Sequence, residues 1–552
     1  MKLNRRVLLG ALALCSLSLA ACGGKVDESK KESNKETGSE QVYNFIERQE
    51  MPTADPSLAT DEVSFNTINN VYEGIYRLDK DNRSQPAGAA EMAEVSEDGL
   101  TYKVKLREDA KWSDGQSVKA EDYVFSWQRT VDPATASEYA YIFEAVKNAG
   151  KITKGELKKE ELGIKAIGDY ELEITLEKVT PFFDYLLALP NYFPQRKDIV
   201  EKFGKDYTVK SENAVYNGPF VLEDFDGPGS DTNWKYVKND NYWDKETVKL
   251  EKINVDVVKE APTALNLFQD GQADDTYLSG ELAQQMKEDP NYLTLKLAST
   301  FYLESNQQDE KSPFRNANLR KAISYAIDRE ALVTQILANG STVPKGLVPA
   351  DFVFDPKNNE DFTKEAKDVV SHDVKKAKEY WDKAKKELGI SSLEFDLLVD
   401  DTANAKKMSE YLQGALSEAL PGMKLTVSSV PFSVRLDRMS KGDFQIATSG
   451  WFADYADPSS FLDLFVTDNS YNRGHYSNEK YDALVKSAST TNANKPEERW
   501  QDMLDAEKVI MDDQGVIPVF QAAEARLRAE KVKNVVNHST GAKYDYKWAY
   551  IE

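Results

Sequence analysis

Beyond Cys22 no cysteine occurs in this chain of 552 residues. That absence constrains the fold more than any single motif. A body of this size must be held by its apolar core, without disulfides, thiolate nucleophiles or cysteine metal sites. The length makes such a core easy to build, and about three domains are expected.

Both cysteines, Cys15 and Cys22, sit at the N-terminus. Lys2, Arg5 and Arg6 precede an apolar run from Val7 to Leu19. A charged start, a short apolar stretch and then small residues describe a secretory signal peptide over 1–21. The run is shorter than the roughly 20 apolar residues of a membrane span. It ends in Leu19-Ala20-Ala21-Cys22-Gly23, which resembles the lipobox of bacterial lipoproteins. The resemblance implies that Cys22 is acylated and becomes the new N-terminus. Residues 23–40 hold one aliphatic side chain, Val26, too little to offset the entropy of ordering. With Cys22 they read as a lipid-anchored flexible tether over 22–40. The rest offers no stretch long and apolar enough to span a bilayer.

The formal net charge is -23. Such a surface repels nucleic acid and anionic headgroups, so no nucleic-acid partner is expected, and membrane contact only through the anchor. Solubility alone accounts for the charge; attraction of cationic ligands stays open beside it.

From about residue 41 short strands alternate with amphipathic helices. Tyr102, Val104 and Leu106, and again Leu172, Ile174 and Leu176, recur at period two, one buried face of a strand each. Ile253–Val258, Leu425–Val430 and Phe444–Thr448 read as further strands. Leu319, Ala322, Ile323, Ala326 and Ile327 form a helical core stripe. Asp328 is placed to cap a helix through Leu337, and Asn478 and Pro496 to open two more. The class is mixed α/β.

Enzyme signatures are missing. The three histidines, His372, His475 and His538, are far apart in sequence, and no H-E-x-x-H, G-x-S-x-G or G-x-x-x-x-G-K-[ST] occurs. With 93 acidic residues, carboxylate spacing carries no information about a hydrolase. No enzyme, cofactor or metal site is expected.

Two aromatic segments stand out. Lys111-Trp112-Ser113-Asp114-Gly115 leads into a helix with Ala120, Val124, Trp127 and Val131, a turn signal followed by plain core. Thr448-Ser449-Gly450-Trp451-Phe452-Ala453-Asp454-Tyr455-Ala456-Asp457-Pro458 follows a predicted strand and is rich in turn residues. It gathers Trp451, Phe452 and Tyr455 around Asp454. Aromatic walls exclude water and strengthen a charge among them, so the acid suits an ammonium group. Spacing equally allows Asp454 to cap a turn or pair with an arginine.

These segments resemble the oligopeptide-binding lipoproteins of ABC importers, in the solute-binding family that includes dipeptide and nickel binders. The resemblance runs from about Gln41 to Glu552. It rests on Val71-Tyr72-Glu73-Gly74-Ile75-Tyr76-Arg77-Leu78, Lys105-Leu106-Arg107 before Lys111–Gly115, Ser126-Trp127-Gln128-Arg129, and Asp132-Pro133-Ala134-Thr135-Ala136-Ser137. Asn217-Gly218-Pro219-Phe220, Tyr242-Trp243-Asp244, Arg320-Lys321-Ala322, Ala326-Ile327-Asp328-Arg329 and the Trp451–Pro458 segment continue it.

The resemblance implies a two-lobed periplasmic-binding-protein-like α/β fold with an extra third domain and the ligand enclosed between lobes. Domain I would combine 41–75, 205–305 and 521–552; domain II would be 76–204 and domain III 306–520. An extended peptide would lie between the lobes as an added strand, its side chains in hydrated pockets. Asp454 would hold the peptide's α-amino group, Ser449, Gly450, Trp451 and Phe452 would pair with its backbone, and Tyr139 would touch it. Lys311 matches a lysine of the set that holds short peptides' carboxylates. Two other cations of that set are replaced by Thr448 and Ala405, which points to longer ligands, signalling peptides included.

The expected function is thus an extracellular receptor on the outer face of the bacterial cytoplasmic membrane, monomeric and anchored through Cys22. It would pass peptides to the permease subunits of an ABC importer. The alternatives are a same-fold binder of haem, a metal chelate or an oligosaccharide, and a cell-surface hydrolase.

Overall fold

The computed structural model describes residues 40–366 and 371–552. The signal peptide, Cys22 and the tether up to residue 39 lie outside the described residues. Residues 40–552 pack as one compact unit. No helix among the described residues is long and apolar enough to cross a membrane.

Ten strands form one sheet. In chain order they are β1 (Val42–Glu47), β2 (Phe220–Glu223), β3 (Asn233–Lys238), β4 (Lys252–Val257), β5 (Asp275–Leu278) and β6 (Tyr292–Ser305). Then come β7 (Leu393–Asp400), β8 (Met423–Val430), β9 (Ile446–Phe452) and β10 (Ile517–Arg528). Across the sheet the order is β8-β7-β9-β6-β10-β5-β1-β4-β3-β2. The first three and the last five belong to different stretches of chain, joined only through the antiparallel pair β6 and β10. That pair is irregular: its register shifts between Lys296 and Thr300 and again between Phe301 and Tyr302. Such shifts bend and twist a strand locally. A separate four-stranded sheet uses Glu94–Val95, Thr101–Lys105, Ile164–Gly168 and Glu171–Thr175.

The period-two patterns mark these strands: Val104, Leu172, Ile174 and Leu176 are buried, with Leu106 in an isolated bridge to Ala89 just past its strand. Helix Ala317–Ala326 buries its stripe, capped by Asn316. Asp328 caps the next helix by accepting from the Ala331 N–H, but that helix winds as a π-helix over Leu332–Leu337. Asn478 and Pro496 open helices Glu479–Ser489 and Pro496–Asp513. Trp112 and Trp127 are fully buried and their indoles are bonded to Asp122 and to the Tyr192 carbonyl, which makes that segment core.

One reading needs correction. The strand expected over 444–448 starts at Ile446 and runs on to Phe452, so Ser449–Phe452 is strand and not turn. Gly450 serves close packing there: a Cβ on it would stand 2.9 Å from the Phe301 ring on the neighbouring strand.

Candidate functional site

Strand β9 is paired on one side along its whole length and on the other only at its start. β6 accompanies it from Ser305 opposite Ile446 to Ser299 opposite Phe452. β7 meets only Ile446 and Ala447. Among the described residues no strand pairs with Ser449–Phe452 on the β7 side. An open row of backbone donors and acceptors is a template on which an extended chain can add. Arg435 marks where it begins, donating from Nη1 to the Thr448 carbonyl at 2.8 Å and from Nε to Asp400 at 2.5 Å.

Asp454 lies two residues past the end of this edge and is 5% exposed. Its carboxylate accepts from the Tyr139 hydroxyl at 3.3 Å, and no cation pairs with it among the described residues. Burial pushes the carboxyl from the ordinary 3.8 up to about 8, and the Tyr139 hydrogen bond offsets only part of that. The two alternative roles open to Asp454 fall instead to Asp457. That carboxylate accepts from the Ser459 N–H at 2.9 Å and from both Arg499 η-nitrogens at 2.7 and 2.8 Å. Burial raises its pKa, but Arg499 outweighs it and holds the group below the usual range.

The walls around Asp454 differ from those expected. Trp451 stacks on Tyr139 with ring centres 5.8 Å apart and meets the edge of Tyr471 at 4.4 Å. Its indole Nε1 is buried without a hydrogen-bond partner among the described residues. Tyr455 stacks on Phe182 at 4.1 Å. Phe452 joins a different cluster, with Phe301 and Phe520, because neighbours on a strand point to opposite faces. Tyr139, Tyr141 and Tyr471 therefore complete the box; Tyr141 lies in the short 3-10 helix Ala140–Ala145 that Tyr139 caps, Tyr471 in an irregular segment, and no sequence period reveals them.

A second cluster adjoins it. Arg473 is 4% exposed, lies 4.2 Å from the Tyr471 ring centre and pairs with Glu138 through Nη2. Its Nε and Nη1 are buried without hydrogen-bond partners among the described residues. Glu304 accepts from the Gly474 N–H at 2.6 Å; burial raises its carboxyl to about 7 although Arg473 pulls the other way. No spacing rule links Glu138, Glu304 and Arg473; only the fold brings them together.

Two cavities flank the box. One of about 120 Å³ continues from the open edge of β9, lined by Thr448, Ser449, Ala405, Arg48, Arg435 and Glu62 among others. One of about 830 Å³ lies beyond the Phe182–Tyr455 stack and is lined by neither Asp454 nor Trp451. Lys311 is exposed, its backbone bonded to Asp309, and it lines neither cavity. Among the described residues no cluster of three His, Asp or Glu residues is placed to hold a metal ion.

Comparison with known proteins shows the family and the fold. The bacterial extracellular solute-binding proteins, family 5 (middle), match residues 83–473. The chain is 36% identical to a dipeptide-binding protein of Lactococcus lactis subsp. cremoris, over 98% of each chain. It is 44% identical to the solved structure of Listeria monocytogenes OppA bound to peptide, with TM-score 0.90, covering 93% of this chain and 99% of that one. The pheromone receptor PrgZ, solved for its mode of peptide binding, is 45% identical with TM-score 0.89, covering 93% and 100%.

Proposed function

The chain belongs to family 5 of the bacterial extracellular solute-binding proteins, and from that premise we propose that it captures peptides outside the cell and delivers them to an ABC-type permease. The relatives are a dipeptide-binding protein, an OppA bound to peptide and a peptide-binding pheromone receptor, which supports a peptide ligand here, signalling peptides included. The peptide lies extended along Ser449, Gly450, Trp451 and Phe452 as an added strand. Its α-ammonium enters the Tyr139–Trp451 box and pairs with Asp454. One observation supports this reading: among the described residues, a buried acid without a cation stands at the end of an unpaired strand edge.

Binding and closure are the whole mechanism. The proposed lobes are 41–75 with 205–305 and 521–552, then 76–204, and 306–520. The crossings at 305 and 520 fall on β6 and β10, whose register shifts supply a place to bend. Acylation of Cys22 keeps the receptor at the outer face of the membrane as a monomer; Cys22→Ala should release folded, binding-competent protein, and protein that resists a high-salt wash would refute the anchor. The ligand itself is tested by native mass spectrometry of protein purified from cells. Bound masses that fragment as peptides are expected; a bound haem, sugar or other non-peptide solute would overturn the reading.

A further inference from the structure

Thr448 and Ala405 both line the smaller cavity and bring no charge to it. That cavity sits in a particular place. Arg48 and Gln49 directly follow β1, Lys259 follows β4, and Asp400 is the last residue of β7. β1 is parallel to β4, and β7 to β9. The cavity therefore lies outside the carboxyl ends of parallel strands from both halves of the sheet, where open α/β sheets receive ligands.

Its three cations differ in what they already hold. Arg435 is bonded to Asp400 and to the Thr448 carbonyl. Lys259 donates to both Asp401 oxygens and pairs with Glu50 at 2.6 Å. Arg48 makes no side-chain hydrogen bond among the described residues. The carboxylate paired with it, Glu524, stands 3.8 Å away and already accepts from Arg526, Lys543 and Tyr544. The Arg48 side chain is 31% exposed, beside the ring of Tyr277. A guanidinium presents five donors in a planar fork that matches the two oxygens of a carboxylate. Here the fork makes no hydrogen bond among the described residues; Glu524 stands at 3.8 Å, and Glu62 and Glu47 are its other carboxylate neighbours.

We infer that Arg48 selects ligands that carry a carboxylate at the far end of the groove from Asp454. This rests on the peptide reading above and sharpens it. The carboxylate is either the peptide's C-terminus or an Asp or Glu side chain. Arg48, on the opposite half of the sheet, stands in for the cations that Thr448 and Ala405 do not supply. Ser449 lines the cavity, and the edge from Ser449 to Phe452 spans roughly 10 Å at about 3.3 Å per residue. An extended peptide of about four residues or more therefore reaches both ends.

The test incubates the full mature protein with two random libraries of tetra- to octapeptides, one with free C-termini and one amidated. Retained peptides are read by mass spectrometry after gel filtration, for the wild type, Arg48→Gln and Arg48→Lys, each first shown to be folded by its melting curve. If the carboxylate is the C-terminus, the wild type retains free acids about tenfold or more over amides. If it is a side chain, both libraries are retained alike, with Asp or Glu enriched at one position counted from the N-terminus. In either case Arg48→Gln brings the preference near parity, and Arg48→Lys keeps part of it. A wild type without either preference, or an Arg48→Gln that retains it, overturns the inference while peptide binding stands. A wild type that retains no peptide at all overturns both.

Discussion

Asp545 and Asp454 are both buried carboxylates, and the comparison between them separates what holds this protein together from what it is for. Asp545 is fully buried and paired with Arg77, which also bonds Glu73 and the Asn69 carbonyl. Asp545 further accepts from the Lys547 N–H at 2.9 Å. Burial alone would raise its pKa, yet Arg77 holds it well below the usual carboxylate range. Glu73 in turn accepts from Tyr242 and Trp243, so the knot ties helix Glu62–Val71 to the C-terminal segment. At Asp454 the same burial meets no cation, and the carboxyl rises to about 8. A buried charge is tolerated when paired and costly when not. One acid is completed by the chain; the other meets no cation among the described residues, and the proposed ammonium ligand would supply one.

The contrast predicts opposite signs. Asp545→Ala strands the Arg77 guanidinium and should lower unfolding free energy by about 3–5 kcal/mol, measured by urea titration. Asp454→Asn removes an uncompensated acid and should raise the stability of ligand-free protein at pH 7 by about 1–4 kcal/mol. If both substitutions destabilise alike, the comparison fails and Asp454 is an ordinary structural residue.

Binding should show the reverse. Asp454→Asn is expected to cost about 2–5 kcal/mol of peptide affinity, roughly 30- to several-thousand-fold. Acetylating the peptide's N-terminus deletes the same pair from the other side. Calorimetry on the four combinations should therefore give non-additive losses. Losses that simply add would place the amine elsewhere.

Protonation sharpens the point further. Between pH about 4 and 8 the unfolded chain carries Asp454 ionised while the folded chain keeps it protonated. Folding takes up that proton, so its contribution to stability falls as pH rises through this window and is at its worst above about 8. An arriving ammonium reverses the preference and expels the proton. Near pH 7 peptide binding should release up to about one proton, seen as a dependence of the calorimetric enthalpy on buffer ionisation heat. Asp454→Asn should abolish that release; an unchanged release would assign the proton to another group.

Much of this was legible beforehand, and the limits have physical causes. The strand faces at Val104 and Leu172–Leu176, the caps Asp328 and Asn478 and the core tryptophans follow from period and chemistry, which act over a few residues. Asp454 stood out because aromatic residues surround it in sequence. Sequence distance misled over its neighbours, since the pleat sends Phe452 to the other face of β9 and Gly450 packs against Phe301 instead of turning the chain. Tyr139 entered only through family resemblance. Glu138, Tyr471 and Arg473 come from irregular segments that meet only in the folded chain, and no spacing rule singles out Arg48, whose guanidinium reaches Glu524 only at 3.8 Å.

Glu138 offers the smallest and most discriminating test. It belongs to the segment 76–204, yet its carboxylate bonds Ser440 and Arg473 and its carbonyl accepts from Ser470 at 2.5 Å. Those partners belong to 306–520, so Glu138 fastens the two segments beside Tyr139 and Asp454. The chain supplies both halves of this pair, as it does for Asp545. The carboxylate is 29% exposed, however, and solvent screening keeps such a pair modest. Arg473 also keeps the Tyr471 ring and the nearby Glu304 when the charge is lost. Glu138→Gln should therefore cost only about 1 kcal/mol, a several-fold loss of peptide affinity, and it should appear in the dissociation rate because the contact is made on closure. Stopped-flow release of a labelled peptide measures it. A loss as large as that of Asp454→Asn would mean that closure, and not the ammonium pair, supplies most of the affinity. A fall in stability with dissociation unchanged would make Glu138 a structural tie like Asp545.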